Sequence, residues 1–396
     1  MESERGANAL WESLHSPGTE YRSVPFWGWN ARLKPEYLRF QMDEMREQGM
    51  GGFFIHSREG LETPYLSEEW MEDVKLCTEK AKQDGMEVWL YDEDKWPSGS
   101  AGGLVSAQDP ARYAAKALTM ELLPAVTEYL RQNCTSGDDA CAGDRKSSGC
   151  SRFSLPQEYD AKNWGHPGEI VILRQETSGN SMWYNGFAPS DMLNAEAVRE
   201  FLRLTHENYQ EHVGTEFGKT IRGFFTDEPN CCDFFSTFTE GRPWLPWTDD
   251  FAKEFEKRRG YDPMELLPGL FLPGENSTQI RHDYWRTLTE LFSECYMRQV
   301  YDWCEARGMR LAGHLLYEND LGYQTRVCGA AMPHYQYLHV PGIDILGEQT
   351  KEYLAVKQCT SVAHQYGRRD VVAEVYGCTG WEFDFEGQKW LGDWLY

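Results

Sequence analysis

Ile221-Arg222-Gly223-Phe224-Phe225-Thr226-Asp227-Glu228-Pro229 begins apolar and ends in two adjacent acids and a proline. A short apolar run stopped this way reads as a strand buried on both faces. Six other runs share the design, at 24–30, 52–56, 87–91, 310–315, 343–347 and 371–376. Helical spacing fills most of the intervals. Leu38, Met42 and Met45 follow Pro35; Trp70, Val74, Cys77 and Ala81 follow a Ser67 cap. Further helices are expected over 194–217, 250–259, 282–307, 350–365 and 386–396. The alternation predicts an α/β chain.

Most of these runs finish in residues able to do chemistry: Trp29-Asn30, His56, Asp92-Glu93-Asp94, Asp227-Glu228, His314, Glu348 and Glu374. A doubly wound sheet gathers such residues only near its switch point, whereas a (β/α)8 TIM-type barrel gathers them after every strand. The barrel is therefore the expected architecture. Only seven runs can be placed, so it is expected to lack its eighth strand and to be open, as in a truncated or split protein of poor solubility. After Gly102-Gly103 the rhythm breaks. Short strands at 117–123, 169–173 and 182–184 around a polar loop at 133–151 suggest a small β-rich insertion after strand three. The expected division is 1–111 and 185–396 for the barrel and 112–184 for the insertion.

The 396 residues are 41% hydrophobic, ample for a core. Thirty-nine basic against 63 acidic residues leave a net charge of −24, which argues against nucleic acid and anionic membranes as partners. No apolar run approaches the roughly 18 residues of a membrane span. No signal-peptide pattern opens the sequence, so a cytoplasmic location is expected. The 11 cysteines are odd in number and contain no C-x-x-C, as suits reduced thiols. Fifteen Trp, 21 Tyr and 19 Phe suit a cleft that stacks sugars.

Glycoside hydrolysis needs one carboxyl that keeps its proton and a second carboxylate to activate water or attack the sugar. Glu228 suits the acid, because the charge of Asp227 beside it raises its affinity for a proton. Glu374 lies between Ala373 and Val375 in an apolar strand, where a carboxylate must be used or paired. A solvated loop acid at Glu228 and an arginine salt bridge at Glu374 are the plainer alternatives. Glu318 is a third candidate. Asp92 and Asp94 offer hard oxygens to Ca²⁺; Asp92 and Glu93 equally suit sugar hydroxyls or an ordinary loop. His56 and His314 could bind hydroxyls or support a carboxylate, and Trp29 with Asn30, Trp96 and Trp381 could wall a cleft. The sequence itself requires no cofactor. H-E-x-x-H, G-x-S-x-G and G-x-G-x-x-G do not occur.

The ordered set 25–30, 51–56, 91–99, 225–229, Gly313-His314 and 373–377 resembles the family-106 α-L-rhamnosidases and their uncharacterised bacterial relatives. That resemblance implies a barrel, exo-acting hydrolysis of a terminal sugar such as rhamnose, an active-site calcium and an inverting mechanism. It carries the acid onto Glu228 and the base onto Glu374, with Glu318 competing. Glutamates after the fourth and seventh runs equally resemble retaining barrel glycosidases. Those relatives are longer, with β-rich domains after the barrel, so further C-terminal domains are expected to be missing. The competing function is a non-catalytic carbohydrate-binding or inactive barrel fragment.

Overall fold

The computed structural model describes residues 11–123, 151–152, 170–231, 242–347 and 352–396. Its strands, in chain order, are β1 (Phe26–Trp29), β2 (Gly52–Ser57), β3 (Glu87–Tyr91), β4 (Lys116–Leu123), β5 (Ser151–Arg152), β6 (Ile170–Thr177), β7 (Ile221–Asp227), β8 (Trp244–Trp247), β9 (Arg310–His314), β10 (Val340–Ile345) and β11 (Val372–Val375). Seven form one parallel sheet in the order β1-β2-β3-β7-β9-β10-β11. These are the seven apolar runs.

Alternation along each strand sorts the side chains to two faces. Trp27, Trp29, Phe53, Ile55, Val88, Leu90, Phe224 and Leu311 join the large core shared with the helices. Phe54, Trp89, Tyr91, Phe225, Ala312 and Val340 form a separate cluster on the opposite face. Phe26 of β1 and Val372 of β11, from the two ends of the sheet, both pack against that cluster. The sheet is therefore curled, with this aromatic cluster inside the curve. Its edges stay open: among the described residues β1 pairs only with β2, and β11 only with β10.

The helices begin and end where their caps dictate. Ser67 Oγ accepts the Trp70 N–H, and Gly85, at φ +69°, closes Glu68–Asp84. The stretch expected as one helix over 282–307 starts earlier, at Ser277, and passes through a π turn at Ser293–Met297.

A second, antiparallel sheet has the order β5-β6-β4-β8. Two expectations are corrected here. Met182–Tyr184 is a 3-10 turn whose Trp183 N–H donates to Ser181 Oγ. The fourth strand, β8, comes from beyond the expected 112–184 boundary. Pro246 disguised it, and β8 tolerates the proline because it is an edge strand. The loop expected at 133–151 and Glu348 lie outside the described residues, except Ser151. Among the described residues no helix is long and apolar enough to cross a membrane.

Gly223 is where β7 meets both neighbours. A Cβ there would collide with the Arg310 carbonyl on β9 and the Trp89 ring on β3. Gly223→Ala is expected to destabilise the chain by about 1–3 kcal/mol, since two backbones must separate. A lowered urea midpoint at unchanged m-value checks this.

Candidate active site

The strand ends meet the inner cluster at its C-terminal rim. Phe225 faces inward, so Asp227, two residues on, does too. The Asp227 carboxylate accepts the Tyr91 hydroxyl at 2.5 Å. Its backbone is fixed by Ser98: the Asp227 N–H donates to Ser98 Oγ and the Ser98 N–H to the Asp227 carbonyl, each at 2.8 Å. Glu228 follows with φ +49°. A non-glycine residue in this region is held there by its surroundings. Tyr317, Tyr376 and Cys378 share the left-handed conformation in the loops after β9 and β11. Strain is thus gathered at the rim where the acids lie.

β9 and β11 supply the partners. His314 stands opposite Asp227 in the β7–β9 register. Its Nε2 donates to Glu374 Oε2 at 2.8 Å and lies 3.3 Å from Asp227 Oδ1, while Nδ1 is 4.0 Å from Glu318 Oε1. Asp344 stands opposite Glu374 in the β10–β11 register. Its N–H donates to Glu318 Oε1 at 2.9 Å. Potential ligand atoms of Asp227, Glu228 and His314 lie within 4.8 Å of one another, as do those of His314, Asp344 and Glu374. One buried imidazole therefore joins five carboxyl groups, with Glu228 and Glu374 both beside it.

Burial and crowding set the protons. Burial, then the charge of Asp227, pushes Glu228 up to about 8, with His314 opposing. Burial raises Asp227 to about 6 and both Glu318 and Asp344 to about 7. At His314 burial opposes the charge, but the Glu374 hydrogen bond and the fields of Asp227 and Glu318 outweigh it, and the ring is raised well above the usual histidine range. The surrounding acids thus favour its imidazolium form. Each raised carboxyl binds its proton more tightly folded than unfolded, so its contribution is full below its unfolded value near 4 and is lost as pH rises through the folded one; for His314 the same loss begins only above its unfolded value of 6.5. The buried neutral histidines His56, His206, His334 and His339 oppose this below their unfolded value of 6.5, so the melting temperature is expected to fall between about pH 6.5 and pH 8, which a thermal scan at each pH reads.

The remaining expected residues divide. His56 faces the inner cluster, its ring centroid 3.7 Å from that of Tyr91. Burial first, and then Arg58, lowers it to about 3, so it is neutral. Trp96 is half-buried at the rim, edge-on to Trp183 at 4.8 Å. Asn30 is exposed just past β1.

Four readings are corrected. Trp29 does not wall the cleft: it points to the helix side, 4.9 Å from Trp70 and 5.3 Å from Trp27. Trp381 is fully exposed. Glu93 is occupied as a loop clamp, accepting the N–H groups of Asp94, Gly99, Ser100, Ala101 and Gly102. Asp92 and Asp94 do not converge as metal ligands. Asp92 Oδ1 accepts the Ser98 hydroxyl at 2.5 Å, and Asp94 accepts Ser57 Oγ at 2.6 Å and Asn185 Nδ2 at 2.9 Å. The arginine partner considered for Glu374 is instead His314. Asp344 was missed, although Ile343 and Ile345 flank it just as apolar residues flank Glu374. Tyr91 was missed as the donor to Asp227.

Acids spread over four strand ends around one charged ring, above an aromatic floor, are equipment for acid–base chemistry on a neutral polar ligand. The family model of glycoside hydrolase family 106, alpha-L-rhamnosidase, matches residues 184–392, more than half of the chain, and the chain belongs to that family. The match spans Glu228, His314, Asp344 and Glu374. Among solved structures, a rhamnosidase from Novosphingobium sp. PP1Y is similar at a TM-score of 0.61 and 16% identity, over 92% of this chain and 52% of that one. At that identity the likeness shows the fold. This chain spans about half the length of that rhamnosidase. No curated protein matches.

Proposed function

We propose that this chain hydrolyses a terminal α-L-rhamnoside, with Glu228 as general acid and Glu374 as general base. The observation that carries the reading is the placement of both carboxyls beside His314, with Glu228 in one converging group and Glu374 in the other. Glu228 enters the cycle protonated and gives that proton to the leaving oxygen. Glu374 takes one from the attacking water, and exchange with solvent restores both. Asp227, whose charge helps keep the proton on Glu228, and His314, which holds Glu374 at 2.8 Å, are positioning residues. The seven parallel strands are, in this reading, seven of the eight of a (β/α)8 barrel. Their unbroken chain order and the acids at their C-terminal ends support it.

Two buried carboxylate oxygens without a hydrogen-bond partner among the described residues could serve the implied calcium, Asp92 Oδ2 and Asp344 Oδ1, and only Asp344 belongs to a converging group, with His314 and Glu374. Asp344, with the adjoining Glu318, would hold the ion, which would supply coordination to sugar hydroxyls. Dialysis against EDTA is expected to lower the melting temperature, and calcium is expected to restore it in the native chain but not in Asp344→Asn. An unchanged melting temperature would count against the ion.

A panel of aryl glycosides tests the substrate. The α-L-rhamnoside is expected to turn over at least about 10²-fold faster than the α-L-fucoside or β-D-glucoside, the scale of one well-placed hydroxyl contact or more. A chain that binds rhamnose and hydrolyses none of the panel is the non-catalytic protein.

A further inference from the structure

Glu228 has an unfavourable backbone, with φ +49°. A non-glycine residue stays in that region only where its neighbours hold it. Two side chains grip the chain on either side of it. On one side Ser98 closes a two-point clamp on Asp227. Ser98 Oγ accepts the Asp227 N–H, and the Ser98 N–H donates to the Asp227 carbonyl, each at 2.8 Å. On the other side Asn230 Nδ2 donates to the Glu228 carbonyl at 2.8 Å. Ser98 and Asn230 are both buried.

The clamp is itself oriented. A serine hydroxyl has a single proton to give. That of Ser98 goes to Asp92 Oδ1 at 2.5 Å, which turns an oxygen lone pair toward the Asp227 N–H. Asp92 is fully buried, and its own N–H donates to the Phe225 carbonyl of β7 at 3.2 Å. The Glu93 carboxylate accepts the N–H groups of Gly99, Ser100 and Ala101 at 3.0, 2.7 and 2.8 Å, and so anchors the segment that carries Ser98. The acids after β3 thus reach the acid after β7 through one serine. We propose that Ser98, oriented by Asp92, is a positioning residue for the general acid: with Asn230 it holds Glu228 in the left-handed conformation that sets its carboxyl beside Asp227 and His314. Neither Ser98 nor Asn230 needs to touch the sugar. This deepens the hydrolase reading and rests on it.

Two measurements with the full chain test it. The first compares an alkyl with a dinitrophenyl α-L-rhamnoside, because only the alkoxide needs a proton from Glu228 to depart. Ser98→Ala is expected to lower kcat for the alkyl substrate about 10–10²-fold, the scale of a misplaced catalytic group, with KM changed by less than about two-fold. The dinitrophenyl kcat is expected to fall by less than about three-fold, since its departure needs no acid. Asn230→Ala is expected to give the same split, and it supplies the reading if Ser98→Ala fails to fold. Equal losses on both substrates, or no loss on either, would overturn the positioning role. The second measurement is a crystal structure of the Ser98→Ala/Asn230→Ala double variant. Glu228 is expected to leave the left-handed region there, and a Glu228 that keeps its positive φ would overturn the clamp. A folded native chain that cleaves neither rhamnoside would overturn the hydrolase reading, and the crystal structure would then decide the clamp alone.

Discussion

Glu228→Gln is expected to lower kcat/KM for an alkyl α-L-rhamnoside by about 10²–10⁴-fold, the range for removing a general acid, and to lower it far less for a dinitrophenyl rhamnoside. The split is the informative part. An alkoxide cannot depart unprotonated, whereas dinitrophenolate can. Burial and Asp227 hold Glu228 near 8, so it keeps its proton through neutral pH. The native rate for the alkyl substrate should therefore fall as pH rises through about 8, and the dinitrophenyl rate should not follow it. Equal losses on both substrates would make Glu228 a binding residue.

Glu374→Gln is expected to lower both rates alike, again by about 10²–10⁴-fold, because water must be activated whatever leaves. Glu318→Gln provides the comparison. Glu318 is buried, its Oε1 accepts the Asp344 N–H, and its backbone carbonyl accepts Gln324 Nε2 and Gln358 Nε2 at 2.7 and 2.8 Å. It is built into the loop after β9 and adjoins the proposed ion, so its amide variant, measured with calcium in excess, is expected to cost stability and KM more than kcat. A greater rate loss in Glu318→Gln than in Glu374→Gln would move the base to Glu318.

The strands were legible because parallel strands buried on both faces are written as short apolar runs, and all seven runs became strands of the main sheet. The acids were legible for a related reason: a carboxylate inside an apolar run, such as Glu374, must be compensated. Which face a residue takes was harder. Trp29 ends its run in an apparently exposed position, yet the period-two alternation sends it to the helices with Trp27. Glu93 and Asp94 share a loop and a charge, but the backbone N–H groups that curl around Glu93 are visible only in three dimensions. β8 was hidden because Pro246 interrupts a four-residue run whose partner, β4, lies more than 100 residues earlier.

The central claim is the proposal that Glu228 and Glu374, both beside His314, cleave an α-L-rhamnoside. Release of nitrophenol from 4-nitrophenyl α-L-rhamnoside by the purified chain, set against the Glu228→Gln/Glu374→Gln double variant, tests it most directly. The account predicts steady release by the native chain and a loss of at least about 10⁴-fold in the double variant, with both proteins folded by circular dichroism. No release by the folded native chain, or release that persists in the double variant, would contradict it.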